Sequence, residues 1–193
     1  MDHTDEGFGV PVPGSMLLGN GKVAVLSKPD PDVFDIETIA RALANMGRFN
    51  GHTSSFYSVA QHSVYVCGQC PQEFALAGLL HDASEAFLGD IIRPLKVLPE
   101  FKVYRDLEKL WQHAILEWAG LPPELPDEVK LADNRMLMTE FRDLFPETPQ
   151  SILDMGLDPY DFEIQTWTPK IAYYFFLSRW DYFRSLEVPR SRA

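Results

Sequence analysis

Ala75-Leu76-Ala77-Gly78-Leu79-Leu80-His81-Asp82-Ala83-Ser84-Glu85-Ala86-Phe87-Leu88-Gly89-Asp90 is the stretch on which the reading of this chain turns. Its apolar residues recur at helical spacing and Gly89 supplies a stop, so the sequence predicts one helix from near Pro71 to Phe87. His81 and Asp82 are out of place at the end of that apolar run, because burying a charge is costly unless it is paired or bound to metal. Adjacent residues on a helix stand about 100° apart around its axis. An imidazole nitrogen and a carboxylate oxygen so placed both reach a cation set between them. Glu85 follows His81 by four residues and Asp82 by three, hence on the same helical face, where it would orient water or act as general base.

Working outward, the pattern before this helix is also helical. Ile36, Ile39, Ala40 and Leu43 share a face behind an Asp35 N-cap, with Gly47 as the stop, and Val59, His62 and Val66 share a face from about Ser58. His62 is therefore expected to point inward. Downstream, amphipathic helices are expected at roughly Glu100 to Ala119 and Asp127 to Phe145, and an aromatic helix from Thr168 to about Leu186. The segment Ile91 to Lys96 reads as a Pro-broken loop, and Leu17 to Leu26 as a β-hairpin around Gly19-Asn20-Gly21. The expectation is an all-α bundle of about six helices with a small N-terminal β-hairpin, one domain over 1–193: an extension (1–34), a core (35–145), and a C-terminal aromatic helix with a basic tail, Arg190-Ser191-Arg192 (146–193).

A single inward His is more often a hydrogen-bonded core residue than a ligand. The joint pattern argues otherwise. Asp133 sits between Val129 and Met136-Leu137, an apolar stripe that would otherwise exclude a carboxylate. His62, His81, Asp82 and Asp133 then form a His₂Asp₂ cage for one divalent ion. Mixed nitrogen and oxygen ligands suit Mn²⁺, Co²⁺, Fe²⁺ or Zn²⁺, with Mg²⁺ a poorer match, and four ligands on an octahedral ion leave positions for water or substrate. Such an ion lowers the pKa of bound water and polarises a phosphoryl oxygen, which is what phosphoester hydrolysis requires. Asp90 would assist from the loop after Gly89. Arg48, Arg93 and Lys96 lie in loops flanking the site, and Arg offers a bidentate fork for phosphate. Cys67-Gly68-Gln69-Cys70 closes a helix and has no second pair, so it reads as structural; His3, His52 and His113 have no partner pattern.

Composition bounds the ligand. In 193 residues, 28 Asp+Glu against 17 Lys+Arg give a formal net charge of −11, so gripping a nucleic-acid polymer or an anionic membrane would work against self-repulsion. A pocket for a small anion is compatible with it. The longest apolar run, Ile171 to Leu177, is far short of the roughly 20 residues that cross a bilayer. Two cysteines and an N-terminus without a secretion signal make the cytosol the expected compartment. The run of Trp167, Tyr173 to Phe176, Trp180, Tyr182 and Phe183 is too continuous for one face, so core packing and a homo-oligomer interface are expected of it.

The segments Tyr57-Ser58-Val59-Ala60-Gln61-His62-Ser63 and Leu79 to Ala86, then Gly89-Asp90 with Pro94-Leu95-Lys96, and finally Asp133, resemble the HD-domain phosphohydrolase superfamily. Within it they look most like bacterial 5′-deoxynucleotidases and phage deoxyadenosine-triphosphate triphosphohydrolases. The resemblance implies that His62, His81, Asp82 and Asp133 bind the metal, that Glu85 activates water, that Asp90 is a second acid near the leaving group, and that Arg48 holds the substrate phosphate. The chain departs from the deoxynucleotidases at Phe49, where they place a Trp against the position of a ribose 2′-hydroxyl. The implied activity is hydrolysis of nucleotides, 2′-deoxynucleotides first, as monophosphates or triphosphates. A guanosine tetraphosphate hydrolase and a non-catalytic nucleotide-sensing HD domain are the alternatives; the former usually carry an Asp directly after the Glu, where this chain has Ala86.

Overall fold

Leu18 to Lys22 close a short antiparallel hairpin in which β1 (Ser15–Leu17) pairs with β2 (Val23–Val25), Met16 opposite Ala24. The computed structural model describes residues 14–187; His3 and the tail Arg190-Ser191-Arg192 lie outside the described residues. Asp35 then caps α1 (Ile36–Asn45), its Oδ2 accepting from the Thr38 backbone N–H at 2.9 Å. Ile39, Ala40, Leu43 and Ala44 form the buried face of α1, as their spacing predicts. The expected stop at Gly47 differs: α1 ends at Asn45 because Met46 and Gly47 are extended, and Gly47 bridges to Ser58 instead.

Ser58 caps α2 (Val59–Gln69), its hydroxyl accepting from Gln61 N–H at 3.1 Å. Helix α2 buries three consecutive polar side chains, Gln61, His62 and Ser63, along with its aliphatic ones. Helix α3 (Ala75–Leu80) packs along it, and every residue of α3 is buried.

The expected single helix over Pro71 to Phe87 is broken. Helix α3 stops at Leu80, and α4 (Glu85–Leu88) begins after a tightened turn in which Ala83 N–H bonds Leu80 O, Glu85 N–H bonds Asp82 O and Ala86 N–H bonds Ala83 O. The cause is local: His81 Nδ1 donates to Gly78 O at 2.8 Å, taking the acceptor that a continuing α-helix would offer Asp82 N–H. Bonds of the 3-10 type eclipse residues three apart, so Glu85 still stands over Asp82. Gly89, at φ 81° and ψ 154°, ends α4.

Helix α5 (Arg93–Lys96) forms one turn where a loop is expected, with Pro94 early in that turn where its missing N–H is not needed. Then come α6 (Lys102–Trp118) and α7 (Asp127–Leu144), within a few residues of their predicted limits, a single turn α8 (Gln150–Leu153), and α9 (Pro169–Glu187). The described residues thus hold nine α-helical segments instead of about six; the surplus is the split at His81 and the single turns α5 and α8. The mostly helical class with one small hairpin is as expected.

Helix α9 packs against α1, α2 and α3, burying Ala172 and Phe176 completely in the same cluster as Ile39, Leu43, Leu79 and Trp111. Tyr174, Phe175 and Tyr182 remain exposed on its outer side. A second apolar cluster, Tyr57, Val66, Ala77, Val129, Ala132, Met136, Leu144 and Ile164, joins α2 and α3 to α7. The segment between α8 and α9 lies across α7 and α2 as a strap held by side chains. Arg135 Nε donates to Asp158 O, Tyr160 N–H to Thr139 Oγ1, Ile164 N–H to Asp143 Oδ2, and Trp167 N–H to Gln61 Oε1, while Gln61 Nε2 donates to Gln165 O. These bonds tie the helix carrying His62 to the helix carrying Asp133. No described helix is long and apolar enough to cross a membrane.

Candidate metal centre

His62, His81, Asp82 and Asp133 converge from α2, from the turn after α3 and from α7. His62 Nε2 lies 3.1 Å from His81 Nε2, 3.6 Å from Asp82 Oδ2 and 3.1 Å from Asp133 Oδ1. His81 Nε2 lies 3.3 Å from Asp82 Oδ2 and 3.8 Å from Asp133 Oδ1. Ligands bound at about 2.1 Å to one cation sit roughly 3.0–3.4 Å apart along the edges of an octahedron or tetrahedron; the contacts of 3.1, 3.1 and 3.3 Å meet that spacing and those of 3.6 and 3.8 Å are wider, and His62, His81 and Asp82 lie close enough together to share an ion, with Asp133 beside them.

The hydrogen bonds behind the imidazoles point the same way. His62 Nδ1 is 2.6 Å from Glu140 Oε1, and His81 Nδ1 is 2.8 Å from Gly78 O. A carbonyl only accepts, and Glu140 is held below the usual carboxylate range: its burial is outweighed by Arg48 and His62, so it accepts as well. Both Nδ1 atoms are therefore donors, and in the neutral rings both Nε2 lone pairs face each other at 3.1 Å. That arrangement is repulsive without a positive charge between them. Neutral imidazoles with ionised Asp82 and Asp133 sum to −2, the charge a divalent ion cancels, and an outward N–H given to a carboxylate or carbonyl is the usual support of a metal-binding His.

The field around the cluster agrees. Burial opposes protonation of His81, yet Asp82 and the hydrogen bonds to Asp82 and Asp133 outweigh it and hold its pKa well above the ordinary imidazole value. His62 is also raised, Glu140 and Asp133 prevailing over burial and the Arg48 charge. Asp82 and Asp133 are both held below the carboxylate range by the two imidazoles despite desolvation. Carboxylates that draw protons onto the imidazoles also draw a cation, and the two compete for the same Nε2 atoms.

Around this cluster Arg48 is held half-buried between two carboxylates, Nη1 at 3.3 Å from Asp82 Oδ2 and Nη2 at 3.2 Å from Glu140 Oε2, while its Nε meets no acceptor. Phe49, at the left-handed φ of 54°, packs edge-on against Phe141 and Phe145 beside the guanidinium. Glu85 is buried, with Oε1 at 3.3 Å from Lys96 Nζ and Oε2 without a partner. Its pKa is well above the usual value, first from burial and then from Asp82 and Asp90, against the pull of Lys96 and Arg48. Asp90 is raised too, by burial and Asp82 over the opposing charges of Arg48 and Lys96.

Of the two other cations expected to meet phosphate, one is paired and one is exposed. Lys96 is taken up by Glu85 and by Glu108, 2.5 Å away, so it supports Glu85 and does not stand free for phosphate. Arg93 is exposed on α5 with no ion pair among the described residues. His113 faces Glu124 away from the cluster, at 3.4 Å. Cys67 and Cys70 are free thiols pushed up by burial to about 12 and about 11, consistent with their structural reading. A groove of about 710 Å³ lined by Arg135, Arg142, Tyr160 and Phe162 contains none of the cluster's residues.

Glu140 is the residue that sequence reasoning missed. Its signal is its position, seven residues and two helical turns after Asp133, on the buried side that Val129, Ala132 and Met136 define. Gln61, next to His62 and wholly buried, gave no signal, because its partners Gln165 and Trp167 are about a hundred residues away.

No family model matches the chain. It is 38% identical over 122 residues to an uncharacterized protein of Rhodobacter capsulatus, a match covering 58% of this chain and 62% of that relative. It is 47% identical over 126 residues to the uncharacterized protein YfdR of Escherichia coli K12, covering 65% of this chain and 69% of the relative. At that identity and coverage, the chain belongs to the family of YfdR.

Proposed function

We propose that this protein is a metal-dependent phosphohydrolase of the HD-domain type, acting on nucleotides and foremost on 2′-deoxynucleotides. The observation that carries the reading is the pair of Nε2 atoms facing at 3.1 Å with Asp82 and Asp133 beside them and both Nδ1 atoms donating outward. His62, His81, Asp82 and Asp133 would hold the ion. A divalent ion there supplies Lewis acidity toward a phosphoryl oxygen and acidifies a water molecule.

The rest is the work of side chains. Glu85 presents Oε2, unpartnered and buried, as acceptor for a proton from the attacking water, while Lys96 fixes its other oxygen. Burial keeps Glu85 basic enough to take that proton, and Asp90, also raised, returns a proton to the departing oxygen of the ester. Water is consumed and the P–O ester bond breaks, giving an alcohol and a phosphate. Arg48 offers charge to the phosphoryl group next to Asp82. Phe49 forms an apolar wall beside it, where a ribose 2′-hydroxyl would be left without a partner.

The test is a panel of ribo- and deoxynucleoside mono- and triphosphates with Mn²⁺ or Co²⁺, read by phosphorus NMR. Release of phosphate from deoxynucleoside monophosphates, or of triphosphate from deoxynucleoside triphosphates, is the expected result and separates the two substrate classes. No turnover of any nucleotide with any of Mn²⁺, Co²⁺, Fe²⁺ or Zn²⁺ overturns the reading.

A further inference from the structure

Glu140 is wholly buried, and its two oxygens serve different halves of the centre. Oε1 accepts from His62 Nδ1 at 2.6 Å. Oε2 accepts from Arg48 Nη2 at 3.2 Å, and Nη1 of the same guanidinium reaches Asp82 Oδ2 at 3.3 Å. Asp82 Oδ2 in turn lies 3.6 Å from His62 Nε2. The path His62, Glu140, Arg48, Asp82 thus closes on itself around the place where the ion would sit. An isolated carboxylate in this position would be costly, and an acceptor for His62 alone would need no charge, as the Gly78 carbonyl shows behind His81.

We propose that Glu140 is a positioning residue that couples binding of the cation to binding of the substrate's phosphate. The proposal rests on the metal-dependent reading given above and adds a linkage to it. Through Oε1, Glu140 fixes His62 with its proton on Nδ1, which aims the Nε2 lone pair at the cage. Through Oε2 it anchors one end of the Arg48 guanidinium. Asp82 Oδ2 then has two alternative roles, acceptor for Arg48 Nη1 or ligand of the ion. When it serves as ligand, Nη1 is left for a phosphate oxygen, and Nη2 stays on Glu140 so that the fork does not drift away. Because linkage is reciprocal, phosphate also tightens the cation. Neutralising Glu140 loosens both ends at once.

The experiment is titration calorimetry on the full chain with Mn²⁺ alone, and with inorganic phosphate in the absence and presence of Mn²⁺. The wild-type protein is expected to bind Mn²⁺, and to bind phosphate at least tenfold more tightly with Mn²⁺ than without. Glu140→Gln, which keeps an acceptor oxygen and the side-chain volume, is expected to bind Mn²⁺ about 10–100-fold more weakly and to lose most of the enhancement for phosphate. Thr139→Val, adjacent on α7, removes the acceptor of Tyr160 N–H without touching the cage and is expected to melt lower with unchanged Mn²⁺ affinity.

Glu140→Gln with Mn²⁺ and phosphate binding within threefold of wild type overturns the proposal. So does Thr139→Val weakening Mn²⁺ as strongly, which would make the effect one of packing. Should Glu140→Gln not fold, ¹⁵N NMR of the wild-type imidazoles decides: His62 protonated on Nδ1, with Nε2 shifting on Zn²⁺ addition, supports the role, and the opposite tautomer ends it. A wild-type protein that binds none of these cations fails the metal-dependent reading itself, whereas binding without linkage fails only the coupling.

Discussion

Lys96 Nζ lies 3.3 Å from Oε1 of Glu85, and the second oxygen of that buried carboxylate meets no donor. One lysine thus partly offsets a desolvated charge and leaves its reactive oxygen free. Since the folded pKa of Glu85 is raised, the carboxylate form needed for catalysis appears only above the ordinary Glu range. Turnover should fall as pH is lowered through that raised value. Lys96→Met removes the favourable charge and should move this acid limb to higher pH, with kcat more affected than KM; an unmoved limb in the pH–rate profile would separate Glu85 from the proton transfer.

The same shift has a thermodynamic consequence. A carboxyl whose folded pKa exceeds its unfolded value contributes stability that is complete below the unfolded pKa and is lost as pH rises through the folded one. At neutral pH Glu85 is therefore a liability to the fold, and Glu85→Gln should abolish turnover while raising Tm. The gain should shrink as pH falls into the range where Glu85 is protonated in both states. For a chain of this size each 1 kcal/mol is about 2–4 °C, which a thermal melt at two pH values resolves.

Asp82 has the opposite sign. Its folded pKa is depressed despite burial, chiefly through His81, so it stabilises the fold above its unfolded pKa and loses that contribution as pH falls. Asp82→Ala should abolish binding of Mn²⁺ and Co²⁺ and all hydrolysis. It should cost only about 1–3 kcal/mol, the order expected for leaving a buried partner group unsatisfied, because Asp82 lies outside both apolar clusters. Circular dichroism should keep the helical signature. Undiminished turnover in Asp82→Ala would remove the whole assignment.

How much of this was legible in the chain depends on the range of the interaction. The Asp35 cap, the start of α2 near Ser58 and the limits of α6 and α7 follow from residues within a few positions of one another. Convergence of His62, His81, Asp82 and Asp133 was readable because each is a polar residue on an apolar helical pattern. The split at His81 was not, since it depends on a side chain taking a carbonyl from the helix ladder. Gln61 has no local signal, because its partners lie about a hundred positions away, whereas Glu140 shows one only in its place on the buried side of α7, which does not name its partner 78 positions away. Arg48 stands beside the cluster, but the two carboxylates that share it are visible only in the fold.

Gly89 ends α4 with φ 81° and ψ 154°, a combination almost confined to glycine. A Cβ there has open space around it, so the cost of Gly89→Ala is purely backbone strain, about 1–3 kcal/mol. Relief of that strain would swing the following residue, Asp90, away from the cluster. The expected outcome is a lower Tm together with a larger loss of kcat than of cation affinity, because Asp90 supplies no cage atom. Mn²⁺ titration beside steady-state kinetics checks the split, and equal losses in both would place the damage in the cage instead.

Phe49 is also strained, at φ 54°, and Asn50 follows at 51°. A non-glycine residue holds that conformation only where its surroundings compensate, and here the ring packs edge-on against the touching pair Phe141 and Phe145 at centroid distances of 5.4 and 5.1 Å. The site thus gives up local backbone energy to present an apolar face beside Arg48. If that face is what disfavours a ribose 2′-hydroxyl, then Phe49→Ala should open room for a water to satisfy the hydroxyl. The ratio of kcat/KM between a deoxynucleotide and its ribonucleotide should then fall by about 10-fold or more, the scale of a lost apolar contact. Phe49→Gly removes the backbone strain as well, so it should melt higher than Phe49→Ala while sharing its loss of discrimination. A ratio that stays constant across wild type and both variants would show that sugar selection, where it exists, is made by another wall of the pocket.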